Sequence, residues 1–252
     1  MIEERIIHNP TTNKTYVMLC LDDVLKCIKL SGDFSKFEAW GGSDSSKRDD
    51  PNNYGAGILN TSKDKYRTER NGLFGEVAFH IMTGLPLDEQ IRTCGNDWDF
   101  AFPCKNANRT LDVKNTEEVK MYFNKGEFII KNSDWKHGPK KICPLKASVY
   151  FFTSNHHFFD SNNNRIHNFR SGVAKVIMRI HGAISARKIS ENREERVDRA
   201  AVRNATWDNM YIRDDELARP INFFNAVNLD VPSFLPYDDC IKGLWKGLES
   251  YV

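Results

Sequence analysis

The chain has 252 residues, 40% of them hydrophobic and 28% charged, with a formal net charge of +2. That is enough apolar material for one sizeable core, with two domains as the upper bound, and the overall charge defines neither a nucleic-acid nor a membrane partner. No apolar run approaches the ~20 residues a bilayer span needs, and "MIEERIIHNP" lacks the basic-then-apolar order of a secretory signal. The expectation is a soluble chain without a membrane partner, in the cytoplasm, that of the host cell if the source is viral.

In chain order, "YVMLCLDDVLKCIKL" places Val17, Leu21, Val24, Leu25 and Ile28 on one stripe, which predicts an amphipathic helix packed on the body. Residues 41–57, "GGSDSSKRDDPNNYGAG", are rich in turn formers and read as an exposed loop. This puts a boundary near residue 60, with residues 1–60 as an N-terminal extension and residues 61–252 as the main domain. Residues 71–84, "NGLFGEVAFHIMTG", carry an apolar run between Asn-Gly and Thr-Gly and predict a buried helix.

Short β-rich runs follow at 98–102, 109–114, 127–131, 147–152 and 174–180, several of them apolar on consecutive positions as in strands covered on both faces. Near the end, "CIKGLWKGLESY" puts Ile241, Leu244, Trp245 and Leu248 on one helical face. The predicted class is α/β, a central mixed β-sheet flanked by helices. Six cysteines (Cys20, Cys27, Cys94, Cys104, Cys143 and Cys240) are scattered without a C-x-x-C pair and read as small buried hydrophobes.

Charge is unevenly spread. From 165 to 203 there are ten Lys/Arg against four Asp/Glu, a local +6, whereas 204–252 carry four against eight, a local −4. "ENREERVDRAAVR" mixes both signs at helical spacing, so the basic block is either a salt-bridged solvated helix or a face that meets phosphates.

Glu76 is conspicuous on its helix, among Leu73, Phe74, Val77, Ala78, Phe79, Ile81 and Met82. A carboxylate buried there requires a cation or hydrogen-bond donors, and Arg67, Arg70 or a metal ion are all available readings. His80 stands one turn further on, either as a core histidine or as a ligand. Then "GNDWDFAFPCKNANRTLDVKN", residues 95–115, reads as two strands joined by a polar turn. Alternation sends Asp112 and Lys114 to one face and Val113 to the other, and an antiparallel partner strand brings Asp99 close to Asp112. Two carboxylates so placed repel unless a proton or cation joins them, and oxygen ligands suit a hard ion such as Mg²⁺ or Mn²⁺.

The ordered set of a helical glutamate in "GLFGEVAFH", an aspartate in "GNDWDF" and Asp-x-Lys in "LDVK" resembles the PD-(D/E)xK, restriction-endonuclease-like nucleases, particularly small members from phages and restriction systems. The likeness spans roughly residues 66–224, with softer echoes in "RIHGAISARKI" and "YIRDDELARPI". Trp98 replaces the proline of the family's name, and Asp97 competes with Asp99. Asp99 is preferred because Phe-Ala-Phe continues a strand directly after it.

The resemblance implies a restriction-endonuclease-like core behind the N-terminal extension, and a divalent-metal-dependent nuclease, an endonuclease, leaving 5′-phosphates. Asp99, Asp112 and the Val113 backbone carbonyl would hold Mg²⁺ (or Mn²⁺), Glu76 would complete the shell, and Lys114 would orient the attacking water. His80 is a further candidate ligand, since some RNA-cleaving relatives use a helical histidine in this way. DNA is the expected partner and RNA the alternative, and a homodimer would allow both strands of a duplex to be cut. The competing expectations are a noncatalytic nucleic-acid-binding protein on the same fold and an ordinary hairpin.

Overall fold

The computed structural model describes residues 3–39, 62–89, 98–104, 107–117, 127–130, 145, 147–191, 210–227, 229–230 and 243–252. Asp97, the polar loop at 41–57, the mixed-charge stretch at 192–203 and Ile241 lie outside the described residues.

The strands are β1 (Ile6–Asn9), β2 (Lys14–Leu19), β3 (Phe100–Cys104), β4 (Ala107–Glu117), β5 (Glu127–Ile130), β6 (Val149–Phe159), β7 (Arg165–Ile166), β8 (Lys175–Ser185) and β9 (Met210–Arg213). The helices are α1 (Leu21–Ala39), α2 (Ser62–Thr83), α3 (Ala186–Glu191) and α4 (Pro220–Val227). A seven-stranded sheet runs β1-β2-β8-β6-β4-β3, with β7 beside β6, and β5 pairs with β9 in a separate two-stranded ribbon. β4 and β6 are parallel while the other pairs are antiparallel, so the fold is α/β around a central mixed sheet flanked by helices.

Alternation along the strands gives the sheet two differently covered faces. One carries Val17, Phe100, Leu111, Val113 and Phe151 and packs under α1, α2 and α4. Its centre is Phe79 of α2, whose ring lies 4.8 Å from both Phe100 and Phe151. On the other face, Tyr150, Phe152 and Ile184 pack under Phe128, Ile130, Met210 and Ile212 of the ribbon. Ile7, Tyr16, Met18 and Ile177 on that same side are covered by Trp245 and Leu248. Each such side chain contributes ~1.5–3 kcal/mol of burial.

The helix expected from Val17 to Ile28 is divided differently. Val17 lies in β2, paired with Ile6 and Met178, and helix begins only at Leu21. The turn-forming Pro-Thr-Thr-Asn closes a hairpin whose Tyr-Val-Met-Leu strand is buried in the sheet, and burial there outweighs the helical spacing. Inside α1 the packed side is Val24, Cys27, Leu30 and Ser31, while Leu21 and Leu25 of the expected stripe are 48% and 51% exposed. Residues 6–9 and 14–19 of the expected extension are therefore strands of the central sheet, and α1 packs on α2.

Two further expectations change. The run at 127–131 joins the ribbon, not the main sheet. The final segment, read as a helix, forms two short 3-10 turns at Gly243–Trp245 and Glu249–Tyr251, because Gly243 and Gly247 take φ of +70° and +80°, outside the helical region.

Candidate functional site

The β3–β4 hairpin pairs Phe100 with Leu111, and Asp99 N–H donates to the Leu111 carbonyl at 2.9 Å. That register sets Asp99 opposite Asp112 on the ribbon side of the sheet. Val113 N–H donates to Asp99 Oδ2 at 2.6 Å. Peptide groups alternate along a strand, so the Val113 carbonyl is directed to the same edge, beyond the start of β3. Lys114 Nζ lies 2.6 Å from Asp112 Oδ2, with the lysine half exposed and the aspartate largely covered.

Burial first, and then the charge of Asp112, push the Asp99 carboxyl up to about 7; the Val113 N–H and Lys114 pull in the opposite direction without cancelling the effect. A carboxyl raised in this way takes up a proton readily, which relieves the repulsion. The result is a like-charged pair with one cation beside it, set against a backbone amide. Its donor set of carboxylates and a strand carbonyl fits a hard divalent ion in place of that proton.

Glu76 stands on the opposite side of β4. Its neighbour Gly75 is pressed on the sheet, where an added Cβ would lie 3.0 Å or less from Thr153 Oγ1, Asn115 Cβ and Val113 Cγ1. The glutamate is half-buried, and its charge acts on Cys27 of α1, whose thiol is held well above its ordinary range by burial and then by Asp23 and Glu76. The charges acting on Asp99 are those of Asp112 and Lys114. The structure thus gathers Asp99, Asp112, Lys114 and the Val113 backbone, with Glu76 across the strand. His80 ends α2: its Nδ1 donates to the Leu85 carbonyl at 2.6 Å, and its own carbonyl accepts from Gly84 N–H at 2.8 Å. One ring nitrogen is thereby committed to capping the helix. Among the described residues, no group of three or more His, Cys, Asp or Glu side chains is arranged to hold one ion.

α2 is fixed to the site by an amide network. Asn115, directly after Lys114, donates from Nδ2 to the Asn71 carbonyl at 2.5 Å and to Asn155 Oδ1 at 2.8 Å, and accepts from Thr153 Oγ1 at 2.9 Å. Asn71 Nδ2 donates to Glu117 Oε1 at 2.9 Å. Buried amides satisfied in this way fix the register of helix against strand.

A second polar constellation was not legible as a unit. Ser154 Oγ, His181 and Asp214 form a relay, with Nε2 2.9 Å from the hydroxyl and Nδ1 2.8 Å from Asp214 Oδ1. Arg219 Nη1 donates to Asp214 Oδ2 at 3.0 Å. Burial raises the Asp214 carboxyl, but the hydrogen bonds and charges of His181 and Arg219 outweigh it and hold the group well below the usual carboxylate range. The order of groups is that of a nucleophilic triad. Ser154 is nevertheless 0% exposed, and the Phe128 ring meets His181 edge-on at 4.7 Å, so the relay is sealed from substrate. His181 and Asp214 sit within "RIHGAISARKI" and "YIRDDELARPI", but nothing in the spacing of 33 residues couples them.

No family model, curated protein or solved structure matches the chain. No helix among the described residues is long and apolar enough to cross a membrane.

Proposed function

We propose that this chain is a divalent-metal-dependent nuclease with a restriction-endonuclease-like core, acting on DNA and leaving 5′-phosphates. The observation that carries the reading is the gathering of Asp99, Asp112 and Lys114 on one face of the β3–β4 hairpin, where the Val113 N–H holds Asp99 beside Asp112. A hairpin stabilised for its own sake gains nothing from two buried carboxyls placed side by side. The order of elements also agrees, with helix α2, the antiparallel pair β3–β4 and then the parallel strand β6.

In this reading Asp99, Asp112 and the Val113 carbonyl hold Mg²⁺ or Mn²⁺. A bound ion supplies Lewis-acid polarisation of a nonbridging phosphate oxygen. Asp112 keeps Lys114 within 2.6 Å, so its ammonium is placed to orient the attacking water and to offset the negative charge that develops on the phosphoryl group. Glu76 takes the outer part of the shell, through water, because α2 lies on the other side of Val113. The Val113 N–H fixes Asp99 and leaves its other oxygen to turn to the ion.

The test is cleavage of labelled DNA and RNA with Mg²⁺, Mn²⁺ or EDTA. Wild type is expected to cut DNA only with metal, and Asp112→Ala and Lys114→Ala to lose at least about 100-fold while retaining the wild-type circular dichroism and melting temperature. Cutting of RNA in preference to DNA would assign the ribonuclease alternative. Binding of nucleic acid without cleavage would assign the noncatalytic one, and neither binding nor cleavage would remove all three.

A further inference from the structure

At the rim of the central sheet, the starts of β4 and β6 and the end of β8 enclose a cleft of about 530 Å³. Its lining includes two arginines, Arg109 and Arg187, two serines, Ser148 and Ser185, and the apolar Leu145 and Val227. The two faces of the sheet meet here, since Val227 packs on the helix-side core and Leu145 on the ribbon-side core. None of its described lining residues is acidic.

The frame of the cleft is fixed while its cations are available. Ser148 N–H donates to both the carbonyl and the hydroxyl of Thr110 at 3.0 Å, and Ala186 N–H donates to the Ser148 carbonyl at 2.9 Å. Arg109 is exposed, and its guanidinium forms no ion pair or hydrogen bond with a described residue. Arg187 is held by a solvent-exposed pair with Glu191 at 3.1 Å, and such pairs contribute only ~0–1 kcal/mol, which a multiply charged anion readily displaces. A guanidinium matches the oxygens of a phosphate. The volume falls in the ~300–1,000 Å³ range of small-ligand pockets and exceeds what a bare phosphate fills.

We propose that this cleft binds a nucleoside 5′-phosphomonoester, with Arg109 and Arg187 on the phosphate and the apolar wall on the sugar and base. The choice of the 5′ end rests on the nuclease reading. A nuclease that leaves 5′-phosphates makes ends of this chemistry, and Arg109 lies on β4, the strand that carries Asp112 and Lys114.

The experiment uses the full chain carrying Asp112→Asn, in EDTA, so that no hydrolysis intervenes. Binding of deoxyadenosine 5′-monophosphate, deoxyadenosine, a 5′-phosphorylated oligonucleotide and its 5′-hydroxyl counterpart is measured by titration calorimetry. A 5′-phosphate is expected to tighten binding at least about tenfold. Arg109→Ala or Arg187→Ala should each erase that preference, whereas Arg165→Ala, on β7, should keep it. A preference seen with both probes assigns free nucleotides and strand ends alike, and one seen with the oligonucleotide alone assigns the strand end. No preference for the 5′-phosphate, or one that survives both arginine substitutions, overturns the proposal. Because the readout is binding without metal, it is independent of whether the wild type cleaves.

Discussion

Asp99 is where the chain holds an ionisable group against its own preference. Its carboxyl is raised to about 7 by burial and by Asp112, against about 4 for an exposed aspartate in the unfolded chain. The folded state therefore binds the extra proton between about pH 4 and pH 7, and stability falls as pH rises through that window. Asp99→Asn reproduces the neutral, hydrogen-bonded form at every pH. It is expected to raise stability by about 1–3 kcal/mol more at pH 8 than at pH 5, measured by urea denaturation in EDTA. Equal effects at both pH values would show that the carboxyl is not held out of its ordinary range. This residue was legible from sequence because strand alternation and hairpin register are local. The sealed relay of Ser154, His181 and Asp214 was not, since it depends on contacts among three distant segments.

At the scale of elements, β8 shows why local pattern reading stops short. Its pairing with β6 slips between Phe152 and Thr153, leaving His181 as the extra residue of a bulge, the device that turns a side chain out of the regular alternation. Gly182 follows at φ +137°, and an added Cβ would stand 2.1 Å from the Ala218 carbonyl oxygen. Ala183 and Ala218 exchange backbone hydrogen bonds at 2.9 and 2.8 Å, so the segment after β9 is clasped onto β8 where only glycine fits. The sequence run at 174–180 announces the strand but neither the bulge nor the clasp. Gly182→Ala is expected to lose about 3 kcal/mol or more, through clash and strain together. Gly172→Ala, at φ +93° with nothing within 4 Å of the added carbon, should lose only about 1 kcal/mol. Comparable losses in urea denaturation would mean that the close approach to Ala218 carries no weight.

For the whole molecule, the decisive difference from the sequence reading is where the domain begins. A polar loop at 41–57 suggests a boundary, because low apolar content is the only local sign of one. Yet β2 pairs with β8 across five residues, Thr15 with Ile180 through Leu19 with Val176, which makes the first strands part of the same sheet as the candidate site. The far ends of the chain also meet: Trp245 Nε1 donates to the Glu4 carbonyl at 2.8 Å, and Asn9 Nδ2 to the Val252 carbonyl at 3.2 Å. A fragment of residues 61–252 would lose Ile6, Ile7, Tyr16, Val17, Met18 and Leu19 from the buried core and uncover the β8 edge. At ~1.5–3 kcal/mol for each side chain, the loss is about 10 kcal/mol or more, comparable to the ~5–15 kcal/mol net stability of a whole domain. The fragment is expected to be insoluble or to lack a cooperative melting transition, although it contains Glu76, Asp99, Asp112 and Lys114. A fragment starting at residue 3 should melt cooperatively, as the full chain should. Cooperative melting of 61–252, with metal-dependent activity retained, would restore the first 60 residues to the status of an extension; its absence means that the carboxylates and the N-terminal hairpin are parts of a single folding unit.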